Sequence, residues 1–345
     1  MNSENVLEKK KKSREKLADV LPLMQPYAIN FNISNICNFK CFYCAHGGVK
    51  QKTECKRPAK IMEFDVLKSC IDYLEQEGIY LKNINLCGLG EPLLNKEFCN
   101  MVKYIKEKNI TKCVETITNG SLLTKKYCDE IISSKLDKIR ISLQGLSDED
   151  YFHVSGIKLD FNEFYENIKY LCENRGDLFV YIKIMDVMVK EESQKKLFFD
   201  LFEGIADEVY IENLLPLTDY MDYSEGNSDF SKTLYGEKLK NITICTQPFY
   251  SCTVEYDGTV CPCCMTPIPE KFDKLSEVGM NRIWNGTEYY QFLVSLLSGE
   301  AYQNNFACRM CNRYKYMILE TDSLEEKKEV LLRCYSERIV KHKAK

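Results

Sequence analysis

The sequence predicts an α/β protein: a partial (β/α)6 barrel of the TIM type, followed by a small cysteine-rich C-terminal module. Two observations predict this architecture. Short β-branched or apolar runs alternate with amphipathic helix-like stretches from residue 27 to residue 212, a pattern typical of parallel strands joined by right-handed crossovers. After Asn213 this rhythm ends, and seven of the 18 cysteines lie between Cys245 and Cys311.

The predicted barrel has six strand–helix units, which is fewer than the eight units and about 250 residues of a closed TIM barrel. Strands are predicted at 27–33, 82–87, 113–118, 137–143, 178–185 and 207–212, and helices at 64–77, 96–108, 124–134, 162–173 and 191–203. In the stretch 162–173, Phe164, Ile168 and Leu171 recur at helical spacing. Asp65 and Thr124 stand where a helix cap or first-turn residue is useful.

Three further segments complete the predicted organisation. Residues 1–26 are polar and lysine-rich, which indicates a solvated helix or frayed tail. Residues 213–244 lack clear periodicity and indicate a connector. The module is predicted over 245–335: runs at 252–256 and 259–261 flank Asp257-Gly258, a strong hairpin signal, and short helices follow around 281–284 and 288–297.

Composition excludes several classes of protein. Hydrophobic residues make up 45% and charged residues 28% of the chain, and the net charge is −4, so no broad nucleic-acid-binding field is expected. No apolar run approaches the roughly 20 residues that span a bilayer, and the N-terminus has no apolar signal core. A cytoplasmic protein is therefore expected, in which cysteines stay free or bind metal.

Three cysteines fall on one short segment just after the first predicted strand: Cys37, Cys41 and Cys44, at C-x3-C-x2-C spacing. Catalytic groups of α/β barrels belong at the C-terminal ends of strands. Three thiolates on one loop can hold a cubane and leave one iron open for a cofactor or substrate. A structural zinc loop is the alternative, although zinc usually has four protein ligands or three with an open position.

With Tyr43 directly before the last cysteine, this segment resembles the signature of the radical S-adenosylmethionine (SAM) family, and the resemblance implies that Tyr43 helps to bind the cofactor. The resemblance implies that Cys37, Cys41 and Cys44 hold a [4Fe-4S] cluster, whose fourth iron is chelated by the amino and carboxylate groups of SAM. One electron then cleaves SAM to methionine and a 5′-deoxyadenosyl radical. The cofactor supplies the chemistry, and the protein orients and shields it.

Further segments resemble this family's SAM-binding motifs. Cys87–Leu93 resembles the GGE motif, which implies that Gly90 and Glu91 bind the SAM amino group, through a carboxylate or a carbonyl; Leu89 replaces the first of the two glycines. The turn Thr118-Asn119-Gly120 is similar to a segment that borders the SAM pocket. The continuation through Tyr151 and Ser155-Gly156 resembles a subgroup with a C-terminal SPASM or Twitch module.

The fourth and fifth strands supply three more candidates. The resemblance implies that Ser142 and Gln144 face the ribose and carboxylate of SAM, since hydroxyl and amide groups both donate and accept hydrogen bonds. On the fifth strand, Lys183 shares one face with Tyr181 and Met185. Lys183 is a candidate to neutralise the SAM carboxylate, although a lone lysine is more often a surface charge. The resemblance covers roughly 27–212.

The C-terminal cysteines form a second candidate metal centre. A C-x2-C pair with distant cysteines on a hairpin is a strong metal signal, which also suits a zinc ribbon. The layout resembles SPASM and Twitch modules, which bind auxiliary [4Fe-4S] clusters. That resemblance points to Cys245, Cys263, Cys308 and Cys311 as ligands, with Cys252, Cys261 and Cys264 as competing candidates. Only Cys334 follows Cys311, so one auxiliary cluster is expected.

Two enzymatic reactions are compatible with these motifs. In the first, hydrogen is abstracted from a small molecule, such as a sugar or aminocyclitol alcohol, which is oxidised or epimerised. The auxiliary cluster accepts an electron and a base takes the proton; Glu212 is the candidate base and Tyr210 is close to it, although Glu212 also suits a solvated strand end. An electron donor such as a flavodoxin or ferredoxin is expected.

In the second reaction, the enzyme matures a peptide or protein by forming thioether or C–C crosslinks. Only 26 residues precede the first predicted strand, so a leader-recognition domain would be a separate chain. A non-catalytic iron–sulfur or zinc scaffold is an alternative of another class. Fold and motif do not name the substrate.

Overall fold

An eight-stranded sheet forms the centre of the protein. The computed structural model describes residues 15–44, 58–223, 230–234 and 236–343. The strand order is β6-β5-β4-β3-β2-β1-β7-β8, and every pair is parallel except β7–β8. The strands are Ala28–Asn32 (β1), Asn83–Cys87 (β2), Val114–Thr118 (β3), Lys138–Ser142 (β4), Phe179–Met185 (β5), Glu208–Glu212 (β6), Ser251–Val254 (β7) and Val260–Cys261 (β8). All six predicted barrel strands are thus confirmed.

Helices cover the convex face of this sheet, as predicted. In the barrel they are Leu17–Val20, Phe64–Gln76, Phe98–Lys108, Lys125–Ser133, Asp148–Ser155, Phe161–Asn174 and Glu192–Phe202. Thr124 accepts a hydrogen bond from the Tyr127 N–H and so caps its helix. The helix Asp148–Ser155 was not predicted, because its sequence has no apolar stripe; Ser147 caps its start.

The C-terminal module is predominantly helical. Its helices are Leu275–Val278, Met280–Trp284, Thr287–Ser298, Ala301–Asn304, Phe306–Arg309, Arg313–Met317 and Lys328–Lys343, with single-turn helices at Gln247–Phe249, Glu320–Asp322 and Glu325–Lys327. Two further single-turn helices, Pro92–Leu94 and Asp186–Met188, belong to the barrel. The predicted domain end at 335 falls inside the last of the long helices. No helix among the described residues is long and apolar enough to cross a membrane.

The two faces of the barrel strands differ in chemistry. Ile84 and Leu86 of β2 are fully buried towards the helices, while Asn83, Asn85 and Cys87 alternate with them and face the concave side. The same alternation places charged and polar side chains of β3 to β6 on the concave side. The barrel therefore has an apolar outer layer and a polar lumen.

The predicted hairpin of the module extends the barrel's sheet. β7 pairs in parallel with β1, with Ala28 opposite Ser251, and the turn at Asp257-Gly258 leads into β8. Gly258 has φ of +87°, a backbone conformation that favours glycine. The Glu77 carboxylate accepts a hydrogen bond from the Met280 N–H at 2.7 Å, which fixes the helix Met280–Trp284 to the barrel. The module and barrel therefore share one continuous sheet.

The segments predicted as tail and connector also contact the fold. Leu17 is buried in the core, while residues 1–14 of the predicted tail lie outside the described residues. In the predicted connector, Leu214, Tyr220, Met221 and Tyr223 form a buried apolar cluster against Phe42 and Tyr43 of the cysteine loop. This part of the chain therefore covers one side of the cysteine loop.

Eight cysteines lie outside the two cysteine-rich segments 37–44 and 245–311, where a cysteine is usually a small buried hydrophobic side chain. Cys70, Cys128 and Cys172 are buried. Four more of these cysteines are partly buried: Cys87, Cys99, Cys113 and Cys334. Cys55 lies outside the described residues.

Candidate active site

The three-cysteine loop is anchored by the helix Asp148–Ser155. The Lys40 N–H donates to the Ser155 carbonyl at 2.9 Å, and the Phe42 N–H donates to the Val154 carbonyl at 3.1 Å. The Phe39 ring packs edge-on against the Tyr151 ring, with centroids 6.2 Å apart. These contacts fix the loop backbone on both sides of Cys41.

The cysteines of this loop differ in exposure. Cys41 is buried, Cys44 is partly buried and Cys37 is exposed. Burial, together with the neighbouring charges of Cys44 and Cys37, raises the pKa of Cys41 to about 12. The sulfur atoms therefore lie close enough to repel one another as thiolates. A cationic metal centre reverses this balance, because it stabilises coordinated thiolates.

The glycine-containing loop after β2 lies directly against the start of the cysteine loop. A Cβ atom on Gly90 would be 2.1 Å from the Ile36 carbonyl oxygen, and one on Gly88 would be 2.0 Å from the Ser34 carbonyl oxygen. The Glu91 N–H donates to the Ile36 carbonyl at 2.7 Å. Glycine is needed at both positions because the two backbones touch. Replacement of the first family glycine by Leu89 leaves this contact intact.

The Glu91 carboxylate is buried and connects the loops that follow β2 and β3. It accepts hydrogen bonds from the Thr118 hydroxyl at 2.6 Å, the Asn119 N–H at 2.7 Å and the Leu93 N–H at 3.0 Å. Burial raises its pKa to about 6, partly offset by these donors. The carboxylate is thus directed towards protein groups, and its predicted contact with the SAM amino group remains a prediction alongside the carbonyl alternative.

The predicted Thr118-Asn119 turn continues this network to the cysteine loop. The Asn119 side-chain amide donates to the Asn38 Oδ1 at 2.9 Å, and the Asn38 amide donates to the Ser121 hydroxyl at 2.8 Å. Asn38 lies between the first two cysteines of the loop. Three strand ends, those of β1, β2 and β3, are therefore joined by one set of hydrogen bonds.

Gln144 is brought to the same loop from the end of β4. Its Oε1 accepts a hydrogen bond from the Tyr43 hydroxyl at 2.6 Å and lies 3.4 Å from the Cys41 sulfur. Its Nε2 donates to the Ser142 carbonyl at 3.0 Å. Tyr43, Ser142 and Gln144, all predicted to bind the cofactor, thus lie together at the end of the barrel that carries the cysteines.

Lys183 and Glu212 form an ion pair in the lumen. Lys183 Nζ lies 2.6 Å from Glu212 Oε2, and their side chains are only 18% and 8% exposed. The Tyr181 hydroxyl donates to Glu212 Oε1 at 3.4 Å, and Tyr210 stands opposite Lys183 in the strand register. Lys183, predicted to neutralise the SAM carboxylate, is therefore paired with Glu212, predicted to be the base.

Four cysteines of the module line one cavity. The cavity also contacts Gln247, Tyr302, Arg313 and Tyr314, and its cysteines are the predicted set Cys245, Cys263, Cys308 and Cys311. Burial raises the pKa of Cys245 and of Cys308 to about 12. A partly enclosed, largely apolar cavity with four thiols suits an iron–sulfur cluster by its donor chemistry.

The competing cysteines do not line this cavity, although the Cys264 sulfur contacts two residues that do, Gln247 and Arg313. Cys252 and Cys261 are fully buried around the β7–β8 hairpin. The Cys264 sulfur lies 3.4 Å from Arg313 Nη1, and the charge of Cys264 raises the pKa of Cys87 in the lumen beyond the effect of burial. Within the described parts of the chain, no three His, Cys, Asp or Glu side chains already stand at the mutual distances that a single metal ion requires.

Sequence reasoning missed several polar residues of this region. The Asn32 side-chain amide donates to the Glu255 carboxylate at 2.9 Å, and both residues are 3% exposed. Arg140 pairs with Glu115 across β3 and β4 at 2.8 Å. One sequence pattern could have indicated these residues: polar side chains recur at every second position of otherwise apolar strands. Arg313 follows Cys311 by two residues, a spacing that alone carries no functional signal.

Two family models match the chain. Residues 31–197 match the Radical SAM superfamily, and residues 245–312 match SPASM, an iron–sulfur cluster-binding domain. The matches confirm the predicted family, its α/β fold and its cofactor classes, SAM and [4Fe-4S] clusters.

Curated relatives are distant and match only in part. A probable GTP 3',8-cyclase of Methanococcus maripaludis is 31% identical over 36% of this chain and 38% of its own length. The FeMo cofactor biosynthesis protein NifB of Methanocaldococcus jannaschii is 26% identical over 55% of this chain and 66% of its own length. The chain thus spans less than two thirds of each of these relatives.

Solved structures with a similar fold cover more of the chain. BtrN in complex with AdoMet and 2-DOIA covers 86% of this chain and 96% of its own, with 17% identity and a TM-score of 0.54. Streptococcus suis SuiB bound to the precursor peptide SuiA covers 93% of this chain and 81% of its own, with 17% identity and a TM-score of 0.57. At such identities the likeness concerns the fold alone. The chain belongs to the radical SAM superfamily and carries a SPASM iron–sulfur cluster-binding domain after its barrel.

Proposed function

We propose that the protein is a radical SAM enzyme that abstracts hydrogen from a small polar substrate, such as a sugar or aminocyclitol alcohol, and oxidises or epimerises it with the help of one auxiliary [4Fe-4S] cluster. One observation carries this proposal. Cys87, at the end of barrel strand β2, lies close enough to Cys264 of the module to feel its charge. Cys264 directly follows Cys263 of the four-cysteine cavity, so that cavity is next to the polar lumen of the barrel.

The lumen supports a substrate rich in hydroxyl or amino groups. Its side chains include the Arg140–Glu115 and Lys183–Glu212 ion pairs and the amide of Asn85. Such groups donate and accept hydrogen bonds, so they replace the water shell of a polar ligand. An apolar substrate would leave them unpaired, at a cost in binding free energy.

The proposed oxidation divides one alcohol's two hydrogens and two electrons among three acceptors. With the cofactors bound, the carbon-bound hydrogen atom would go to the radical that SAM supplies, the hydroxyl proton to Glu212, and the remaining electron to the auxiliary cluster. Cys37, Cys41 and Cys44 would hold the SAM-binding cluster, and Cys245, Cys263, Cys308 and Cys311 the auxiliary one. A flavodoxin or ferredoxin would supply the initiating electron.

The chain's own residues then have defined tasks. Gly88 and Gly90 keep the loop after β2 against the cysteine loop. Glu91, through Thr118 and Asn119, holds the edge of the SAM pocket. Lys183 orients the Glu212 carboxylate, which would take the proton.

The experiment is anaerobic turnover of the reconstituted enzyme with reductant and SAM. 5′-Deoxyadenosine is measured against a panel of sugars and aminocyclitols and against a panel of peptides. The proposal expects one of the polar small molecules to stimulate 5′-deoxyadenosine formation and to lose mass by two hydrogens or change configuration. Stimulation by peptides alone, with a thioether or C–C crosslink, would establish the maturase alternative instead.

The peptide alternative has one specific observation in its favour, the fold likeness to SuiB in its complex with a precursor peptide. A scaffold without catalysis is distinguished by the same preparation. About eight irons, as expected for two cubanes, together with SAM cleavage on reduction would exclude it.

A further inference from the structure

Arg313 lies at the boundary between the four-cysteine cavity and the lumen. It begins the helix Arg313–Met317 and is one of the residues that line the cavity together with the four candidate ligand cysteines. Its Nη1 lies 3.4 Å from the Cys264 sulfur, and its backbone N–H is hydrogen-bonded to the sulfur of Cys311. Both the backbone and the side chain of this residue therefore face sulfur atoms.

The guanidinium has no carboxylate partner within 4.0 Å anywhere in the described ranges. In the barrel, by contrast, Arg140 and Arg175 are paired with Glu115 and Asp207. A partly buried cation without a carboxylate is costly unless another anion stands beside it.

A cluster held by four thiolates is such an anion. It is negatively charged in both redox states and gains one further negative charge when it is reduced, so a nearby fixed cation stabilises the reduced state more than the oxidised state. The partly desolvated position of Arg313 limits screening by water and salt. The guanidinium would therefore raise the reduction potential of this cluster and make it a better electron acceptor.

We propose that Arg313 sets the reduction potential of the auxiliary cluster, by placing its guanidinium beside the cluster's thiolates, and so fits the cluster to accept the substrate's electron. This inference rests on the proposed function, because it requires the auxiliary cluster. Arg313 touches neither SAM nor substrate in this role. It acts through the cluster.

The test is a redox titration of the reconstituted full-length enzyme, followed by spin resonance of the auxiliary cluster. Arg313→Gln and Arg313→Met remove the charge, Arg313→Lys keeps it, and Arg309→Gln is the matched control, since Arg309 is an exposed arginine next to Cys308. At the wild-type midpoint, both neutral variants should show a reduced-to-oxidised ratio at least about tenfold lower, which equals about 59 mV for a one-electron couple. Arg313→Lys should retain most of the wild-type potential, and Arg309→Gln all of it.

The possible results distinguish a failure of the role of Arg313 from a failure of the proposed function. A wild-type enzyme without an auxiliary signal would overturn both. A normal auxiliary signal with unshifted potentials in both neutral variants would overturn the role of Arg313 alone. If the neutral variants lose the cluster while Arg313→Lys keeps it at near wild-type potential, the requirement for charge is supported. Loss in all three would mean that the shape of arginine is needed, and the inference fails.

Discussion

Lys183 and Glu212, on neighbouring strands of the barrel, form a lumen ion pair of 2.6 Å that buries both side chains. The pair places a carboxylate with a fixed orientation at the C-terminal end of β6. Tyr181 donates to the other carboxylate oxygen. Glu212 is thus held by two partners on β5 and keeps a defined position relative to the barrel axis.

Glu212→Gln should separate SAM cleavage from product formation. The amide keeps the shape of the side chain but cannot take a proton, so product formation should fall about 100-fold, within the range for a lost general base. 5′-Deoxyadenosine formation should persist, and both are measured by liquid chromatography of the same reaction. Glu208→Gln, at the opposite end of β6, is the control and should leave product formation near wild type. An equal loss in both variants would remove Glu212 from the mechanism.

The same pair predicts a non-additive effect on stability. Lys183→Met alone leaves a buried carboxylate without its cation and should lower the free energy of unfolding by about 3 kcal/mol. The double variant Lys183→Met/Glu212→Gln removes both charges and should be more stable than Lys183→Met. Urea unfolding of the three proteins measures this difference. Additive losses would mean that the two side chains do not interact in solution.

Gly90→Ala should disable the cofactor site without changing the fold. The new Cβ would lie 2.1 Å from the Ile36 carbonyl oxygen, so either the loop after β2 or the start of the cysteine loop must move. A displacement of this size at a reacting centre should reduce SAM cleavage about 100-fold. Gly204→Ala is the matched control, because nothing lies within 4 Å of its Cβ position. Wild-type SAM cleavage in Gly90→Ala would show that the loops are not in contact.

The order of strands and helices could be predicted from the sequence, since each strand carries its own pattern. Ile84 and Leu86 are buried on one side of β2, and their neighbours are polar. The pairing of β7 with β1 could not be predicted, because parallel strands 222 residues apart, joined for example at Asn30 and Cys252, have no local signal for their association. The helix Asp148–Ser155 was missed because it is short and is buried by tertiary contacts of Tyr151.

In the site, the cysteines could be placed because their spacing encodes their chemistry. The direction in which an individual carboxylate points could not be predicted from the sequence. Glu91 stands in a motif, yet only the packed loops show that its side chain accepts from Thr118 and Asn119. Likewise, Lys183 and Glu212 lie on different strands, and their contact depends on the strand register.

Glu91 predicts a pH dependence of stability. Its pKa is raised from 4.5 to about 6 by burial, so the folded protein holds this proton over a pH range in which the unfolded chain has lost it. Stability from this group is therefore present below pH 4.5 and is lost as the pH rises through about 6, by about 2 kcal/mol in total. In Glu91→Gln this loss should disappear. Urea unfolding of the metal-free chain from pH 4.5 to 7.5 measures both curves; parallel curves would contradict the raised pKa.

The lining of the four-cysteine cavity predicts which of three neighbouring cysteines, Cys261, Cys263 or Cys264, binds iron. Cys263 lines the cavity with Cys245, Cys308 and Cys311, whereas Cys264 points to Arg313 and Cys261 is buried in the hairpin. Cys263→Ser should therefore lose the auxiliary cluster, and with it about four of about eight irons, yet still cleave SAM. Cys264→Ser and Cys261→Ser should retain full iron content, and Cys37→Ala should abolish SAM cleavage. Iron analysis of the anaerobically prepared proteins distinguishes the candidates. If Cys264→Ser loses iron and Cys263→Ser retains it, the ligand is Cys264 and not Cys263, and the cluster lies nearer to the lumen.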